Sequence, residues 1–356
     1  MPELSYRQAG LVLKAGGSAT TEQIRDLQRD LRRLGYLREG IDGSFGPGTA
    51  RAVQALQHDL LMNNGSSRAG DGSAPVRVMD FNRGVTAVTG EADQALVESI
   101  GAMLDDTRIP PLPLSNDPIQ DNLKIVAELR QLPAGNVPIP FLLAILKQES
   151  DLKHFHEPSG NDADGFITIG LDTASGVDYV ITSRGYGAGQ YTLFHHPPTS
   201  DEVSAFMLDP GKNVQRASGE LRDKLDHFVV GGTSATSADD RIAEAGSGPL
   251  RVCRFSPPDS RFLTGCAQCL AEAGYHDIIA GTTPLFPGST SPYEPTSLRS
   301  GFTRYSGVPN RGAIGCDWPY AIRRYNGSGM DSYHYQAQVL LNLRELTQST
   351  PAPATP

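Results

Sequence analysis

Glu149 closes an apolar stretch, and a carboxyl in that position is suited to proton transfer. The stretch runs from Pro138 through Phe141, Leu142, Leu143, Ala144, Ile145 and Leu146 to Gln148, Glu149 and Ser150. Its prolines suit a helix start, and its apolar residues cover nearly every face, which predicts a buried helix with Glu149 emerging at the C-terminal end. There the carboxyl faces the negative end of the helix dipole and apolar walls. Both disfavour ionisation and would keep the group protonated, the state in which a general acid protonates a glycosidic oxygen. Without further context, a Glu at a helix end is an ordinary solvated residue.

Three further groups have reactive side chains. Cys253, Cys266, Cys269 and Cys316 are all the cysteines of the chain, and the close pair Cys266 and Cys269 with two distant partners fits a four-thiolate zinc site. Two disulfides are the competing reading, favoured by an extracytoplasmic destination. Either would staple a loop-rich segment, and neither implies catalysis. His195 and His196 are adjacent, so they do not share a helical face, and no carboxylate completes a ligand motif around them. They read as loop residues, with no metal and no cofactor implied. The third group, Gly187, Gly189, Gln190 and Tyr191, places closely spaced glycines beside an amide and a phenol. Such glycines either let backbone approach a ligand or simply form a tight turn.

The order of these blocks carries a resemblance. Ala144-Ile145 followed by Gln148-Glu149-Ser150, then Gly185 to Thr192, then Ala321-Ile322 with Tyr325-Asn326-Gly327 and the later Tyr333 and Tyr335, is similar to soluble lytic transglycosylases and goose-type lysozymes. The similarity spans roughly residues 118 to 346. It implies a lysozyme-like fold, α with some β, that cuts the β-1,4 bond between N-acetylmuramic acid and N-acetylglucosamine, with Glu149 as general acid and then base. It also implies that Gly187, Gln190, Tyr191 and Tyr325 line sugar subsites, and that Ser150 and Asn326 hold the surroundings of Glu149 and the cleft. Tyr325 equally suits a core position, and Asn326 a loop.

Two insertions depart from the compact family pattern, at 154–182 and 231–315. The first contains Asp162, Asp164, Asp172 and Asp178. A hydrolase that inverts needs a second carboxylate to activate water, whereas a transglycosylase needs one carboxyl because the sugar's own 6-hydroxyl attacks. Asp162 and Asp172 are the candidates for that second role, although loop aspartates more commonly serve turns. Both chemistries stay open.

The elements ahead of Glu149 form a separate pattern. Ile24, Leu27, Leu31 and Leu34 recur at spacings of three and four, with Thr20 or Thr21 placed to cap the helix they predict. Gly35-Tyr36, Gly40 to Gly43 and Phe45 to Gly48 punctuate the chain before a second amphipathic helix carrying Ala52, Val53, Leu56 and Leu60. This set resembles the small three-helix peptidoglycan-binding domain fused to many wall hydrolases, with a core at 20–61. Gly84-Val85 through Ile100 partly echoes Gly40-Ile41 through Leu56, as a degenerate half-repeat over 84–104. The alternative is a helical hairpin without a ligand.

The chain as a whole fits these parts. Its 356 residues exceed one ordinary core, and 38 Gly with 26 Pro imply many loops. The expected class is mainly α, with a binding module at 1–108, a Pro-rich linker at 109–117, a catalytic domain at 118–347 and a disordered tail at 348–356. A net charge of -9 without a basic block argues against nucleic acid as a partner. No apolar run is long enough to span a bilayer. The first residues lack the marks of a signal peptide, so delivery to a periplasmic or extracellular wall would use a holin or a secretion system. The expected partner is peptidoglycan, met by a monomer. The rival of another class is a noncatalytic wall-binding or phage structural protein that kept the fold; wall amidases and endopeptidases are disfavoured, because they call for a catalytic His/Asp/Cys zinc set or a Cys/His nucleophile pair and the cysteines here look structural.

Overall fold

The computed structural model describes residues 4–67, 72–129, 131–132, 137–159, 164–230, 318–327 and 330–348. Asp162, the four cysteines, the 231–315 insertion and the tail beyond Gln348 lie outside the described residues. The fold is mainly α with one small sheet. Its helices are α1 (Thr21–Arg33), α2 (Pro47–Met62), α3 (Gln94–Asp105), α4 (Pro118–Leu129), α5 (Ile139–Ser150), α6 (Pro210–Lys224), α7 (Trp318–Tyr325) and α8 (Met330–Gln348). Strands β1 (Ile169–Ala174), β2 (Val177–Tyr186) and β3 (Tyr191–Leu193) form an antiparallel meander. By packing, the chain divides into unit 1, Met1–Val126 with Lys153–Val214, and unit 2, Ala127–Leu152 with Gln215–Pro356.

Local sequence accounts for the helix ends in unit 1. Thr20 caps α1 through its side chain, and Gln23 returns a bond to the Thr20 amide, a reciprocal box that satisfies two otherwise open donors. Pro47 opens α2 where its missing N–H costs nothing, and Asp93 caps α3 by accepting from Leu96. Leu27, Leu31, Leu56, Leu96 and Ile100 are buried in one core.

Two glutamines hold the turns between these helices in the same way. The Gln28 side chain on α1 donates to Asp42 Oδ1 and Thr49 Oγ1, both at 2.9 Å, and accepts from the Gly43 amide at 2.8 Å. Gln57 on α2 donates to Thr89 Oγ1 and the Glu91 carbonyl, both at 3.0 Å, and accepts from the Thr89 and Gly90 amides. Gly43 and Gly90 have φ of 78° and 77°, a left-handed backbone that a side chain would strain. Geometrically, Gly90 takes the place of Gly43 and Asp93 that of the cap Gly46. This register differs from the one that sets Gly84 against Gly40.

Unit 1 continues past the three helices. Arg32 on α1 pairs with Asp164 at 2.9 Å, with both side chains fully shut from solvent. Arg184 on β2 donates to the Gly35 carbonyl and to Asp59 on α2, and its guanidinium lies over the Tyr36 ring. The Pro-rich stretch read as a linker, 109–117, makes backbone hydrogen bonds to its surroundings in unit 1. Leu112 donates to the Arg33 carbonyl, Ser115 to that of Gly165, and Ile167 to that of Pro113. Proline removes its own donor but leaves the neighbouring amides and its own carbonyl to bond.

In unit 2, α5 packs on α8, and α7 packs on α8 as well. Phe141, Leu142, Ala144, Ile145 and Leu146 bury most of α5, while Leu340 and Leu343 on α8 and Trp318 and Ile322 on α7 are buried among the described residues.

Candidate functional site

Glu149 occupies the last turn of α5, half-buried, as the apolar run preceding it requires. The Tyr335 hydroxyl on α8 donates to Glu149 Oε1 at 2.5 Å. One residue earlier, Gln148 Oε1 accepts from Asn342 Nδ2 at 3.1 Å. Tyr335 and Asn342 are two helical turns apart, so one face of α8 fixes consecutive side chains at the end of α5. Tyr325 from α7 stacks on Tyr335, with ring centroids 6.4 Å apart and planes 8° apart. Burial first, and the Glu149 carboxyl second, push both phenols well above their ordinary range. Both phenols are therefore neutral near pH 7, and Tyr335 acts as a hydrogen-bond donor rather than a base.

Backbone strain lies directly beside this carboxyl. Asp151 and Leu152 follow it with φ of 54° and 64°. The Asp151 amide donates to the Lys147 carbonyl, the single closing bond of a left-handed helix end that usually calls for glycine, and the Leu152 amide reaches the Leu146 carbonyl. An Asp tolerates this conformation at modest cost, and a Leu poorly. Ser150 Oγ donates to the Leu146 carbonyl, so its hydroxyl also serves the helix end.

The glycine block belongs to unit 1, where it forms the turn between β2 and β3. Gly187 has φ of 73°, and a β-carbon there would fall 2.5 Å from His154 Nδ1 and 2.7 Å from Asn213 Nδ2. Asn213, almost wholly buried, donates to the Tyr186 and Phe206 carbonyls and accepts from the Gly189 amide at 2.8 Å. His154 Nε2 bonds the Met207 carbonyl at 2.8 Å while its Nδ1 faces the Ala188 amide. Burial lowers the His154 pKa to about 4, so the neutral ring is the form that fits. Neither residue stood out in the sequence, where an isolated His or Asn carries no periodic signal.

Gln190, expected to line a sugar subsite, uses its amide within the turn. Its backbone is left-handed at φ 48°, and its Nε2 donates to the Gly187 carbonyl at 2.7 Å. Its side chain lies across Gly170 and Gly185, where an added β-carbon would come 2.3 and 2.8 Å from Oε1. The turn therefore holds its own glutamine. Tyr191 packs edge-on against Phe206 at 4.5 Å.

The remaining expected residues are placed as follows. Asp172 is exposed on β1 and accepts from Ser183 Oγ at 2.6 Å. Asp164 is committed to Arg32, and Asp178 is exposed near the hairpin end. Asn326 is exposed just after α7, ahead of Gly327 at φ 107°. His195 and His196 are buried, with His195 Nε2 3.0 Å from the Glu202 carboxylate. No group of three or more His, Cys, Asp or Glu side chains able to hold a metal occurs among the described residues.

Residues 20–62 match the family described as "Putative peptidoglycan binding domain". No curated protein and no solved structure matches the chain. The matched segment contains α1, α2 and the turn held by Gln28. It supports peptidoglycan as a partner and the cell wall as the setting. No described helix is long and apolar enough to cross a membrane.

Proposed function

We propose that the chain binds peptidoglycan through its N-terminal helices and cleaves the glycan strand as a lytic transglycosylase, with Glu149 as the acid and base. The observation that carries this reading is the Glu149 carboxyl at the end of a buried helix, oriented by a short bond from the neutral Tyr335. In the proposed step, the Glu149 proton passes to the bridging oxygen as the C1–O bond of the muramyl residue breaks. The carboxylate then takes the proton of that residue's 6-hydroxyl while its oxygen closes on C1, giving a 1,6-anhydro ring without consuming water. Tyr335 keeps the carboxyl in one orientation through both transfers, and Tyr325 supports Tyr335 from behind.

The test is mass spectrometry of purified peptidoglycan digested by the parent and by Glu149→Gln. Anhydro-muropeptides from the parent, reduced by about 10²- to 10⁴-fold in the variant, are the expected result. Hydrated reducing ends would make the enzyme a hydrolase and turn attention to Asp172. Intact glycan after exposure to the parent, or equal cleavage by the variant, would overturn the catalytic reading.

A further inference from the structure

We propose that unit 1 carries a subsite for one neutral acetamido sugar, in a cavity that the matched helices cannot form by themselves. The inference rests on the wall-binding reading and names the part of the polymer that is gripped. The cavity encloses about 210 Å³. Asp59 and Met62 on α2 contribute one wall, and Thr182 and Arg184 on β2 with Phe194 and His196 just after β3 contribute the other. The second wall lies outside residues 20–62.

Charge at the cavity floor is balanced. Burial would raise the Asp59 pKa, but the bond to His58, the Arg184 guanidinium and the Tyr36 hydroxyl outweigh it and hold the group at about 2. Asp59 is therefore ionised and matched by Arg184 at 3.3 Å. Burial, then Arg184, keep His196 neutral. A charged ligand gains nothing from such a floor, whereas a neutral one loses little of its hydration there.

The rest of the lining suits a polar ring with one apolar face. Phe194 is 40% exposed and Met62 68%, a pair of apolar side chains left in solvent at the rim. Thr182 sits at an irregularity of the sheet, where Asp172 pairs with Ser183 and Thr173 with Ile181, leaving Thr182 without an opposite residue. Bulges of this kind re-aim side chains beside binding sites. The His196 ring is 3% exposed and meets the Leu34 backbone, so it lines the cavity as a neutral ring held in place. The volume falls below the roughly 300 to 1,000 Å³ of pockets that engulf a whole ligand, which fits one ring of a polymer that continues beyond the mouth.

The test titrates the full chain with the N-acetylglucosamine trimer and with its fully de-N-acetylated counterpart by calorimetry, alongside pull-down on intact wall. The acetylated trimer is expected to bind at least tenfold more tightly than the deacetylated one. Phe194→Ala and Thr182→Val are each expected to weaken it at least fivefold with unchanged melting temperature. Affinity unmoved by both variants, or equal affinity for the two trimers, would overturn the subsite. Wall capture without trimer binding would remove the subsite and leave wall association standing, whereas failure of both would remove both.

Discussion

Asp164 and Glu149 are carboxylates in two different units, and their partners differ in kind. Asp164 is closed off from water against the permanent charge of Arg32, with its Oδ1 also accepting from the Gly165 and Phe166 amides. Glu149 is half-buried and bonded to a neutral phenol. A matched buried charge fixes shape, since neither partner can lose its complement without leaving an uncompensated ion. A phenol orients a carboxyl through a hydrogen bond without bringing a charge of its own. In unit 1 a buried pair of opposite charges holds the chain together; in unit 2 a neutral phenol orients the carboxyl.

The sharpest way to break this contrast is Arg32→Ala. It strands Asp164 in the interior and should cost about 3 to 5 kcal/mol, read as the shift in urea midpoint. A loss below about 1 kcal/mol would mean that the pair is not structural. Acid should act on the same unit through His154. Its folded pKa of about 4 lies below the ordinary 6.5, so the unfolded chain binds the extra proton. Stability is therefore complete above pH 6.5 and is lost as pH falls from 6.5 towards 4. The loss is on the order of 3 kcal/mol, and His154→Gln should flatten that part of the profile.

Two smaller changes address unit 2. Tyr335→Phe should lower kcat about tenfold with KM nearly unchanged, because it frees the carboxyl's orientation and leaves the sugar contacts alone. An unchanged kcat would detach Tyr335 from the chemistry. Asp151→Gly should raise stability by about 0.5 to 1 kcal/mol by relieving the left-handed position at the end of α5. A destabilised variant would show that the Asp side chain contributes more than the strain costs.

Sequence made the local parts of this picture legible. The spacing of Leu27, Leu31 and Leu34 marked α1, the spacing of Ala52, Val53, Leu56 and Leu60 marked α2 although its first turn, from Pro47, was read as part of the preceding turn, and the apolar run into Glu149 marked α5, because each depends on periodicity. The long-range parts were not legible. Nothing near Arg32 announces a partner at Asp164, and nothing in the glycine block reveals that His154 and Asn213 support it. Gln190 was ambiguous for a related reason: an amide beside glycines is equally suited to a sugar and to its own turn, and the sequence does not reveal that its Nε2 meets the Gly187 carbonyl. At the candidate site, Glu149 was visible in the sequence, but the bond from Tyr335 depends on how α8 lies along α5.

The paired glutamines make α2 a shared rung. It is the second helix of one turn held by Gln28 and the first helix of another held by Gln57. A chain cut after Met62, where the family match ends, would keep the first fastening and cut Gln57 off from Thr89 and Gly90. A piece that ends after α3, at Asp105, keeps both fastenings but still loses Asp164, the partner of the buried Arg32 in unit 1. The part that recognises as a family and the part that folds as a unit have different lengths, and any graft of this binding element onto another protein should be measured by the second.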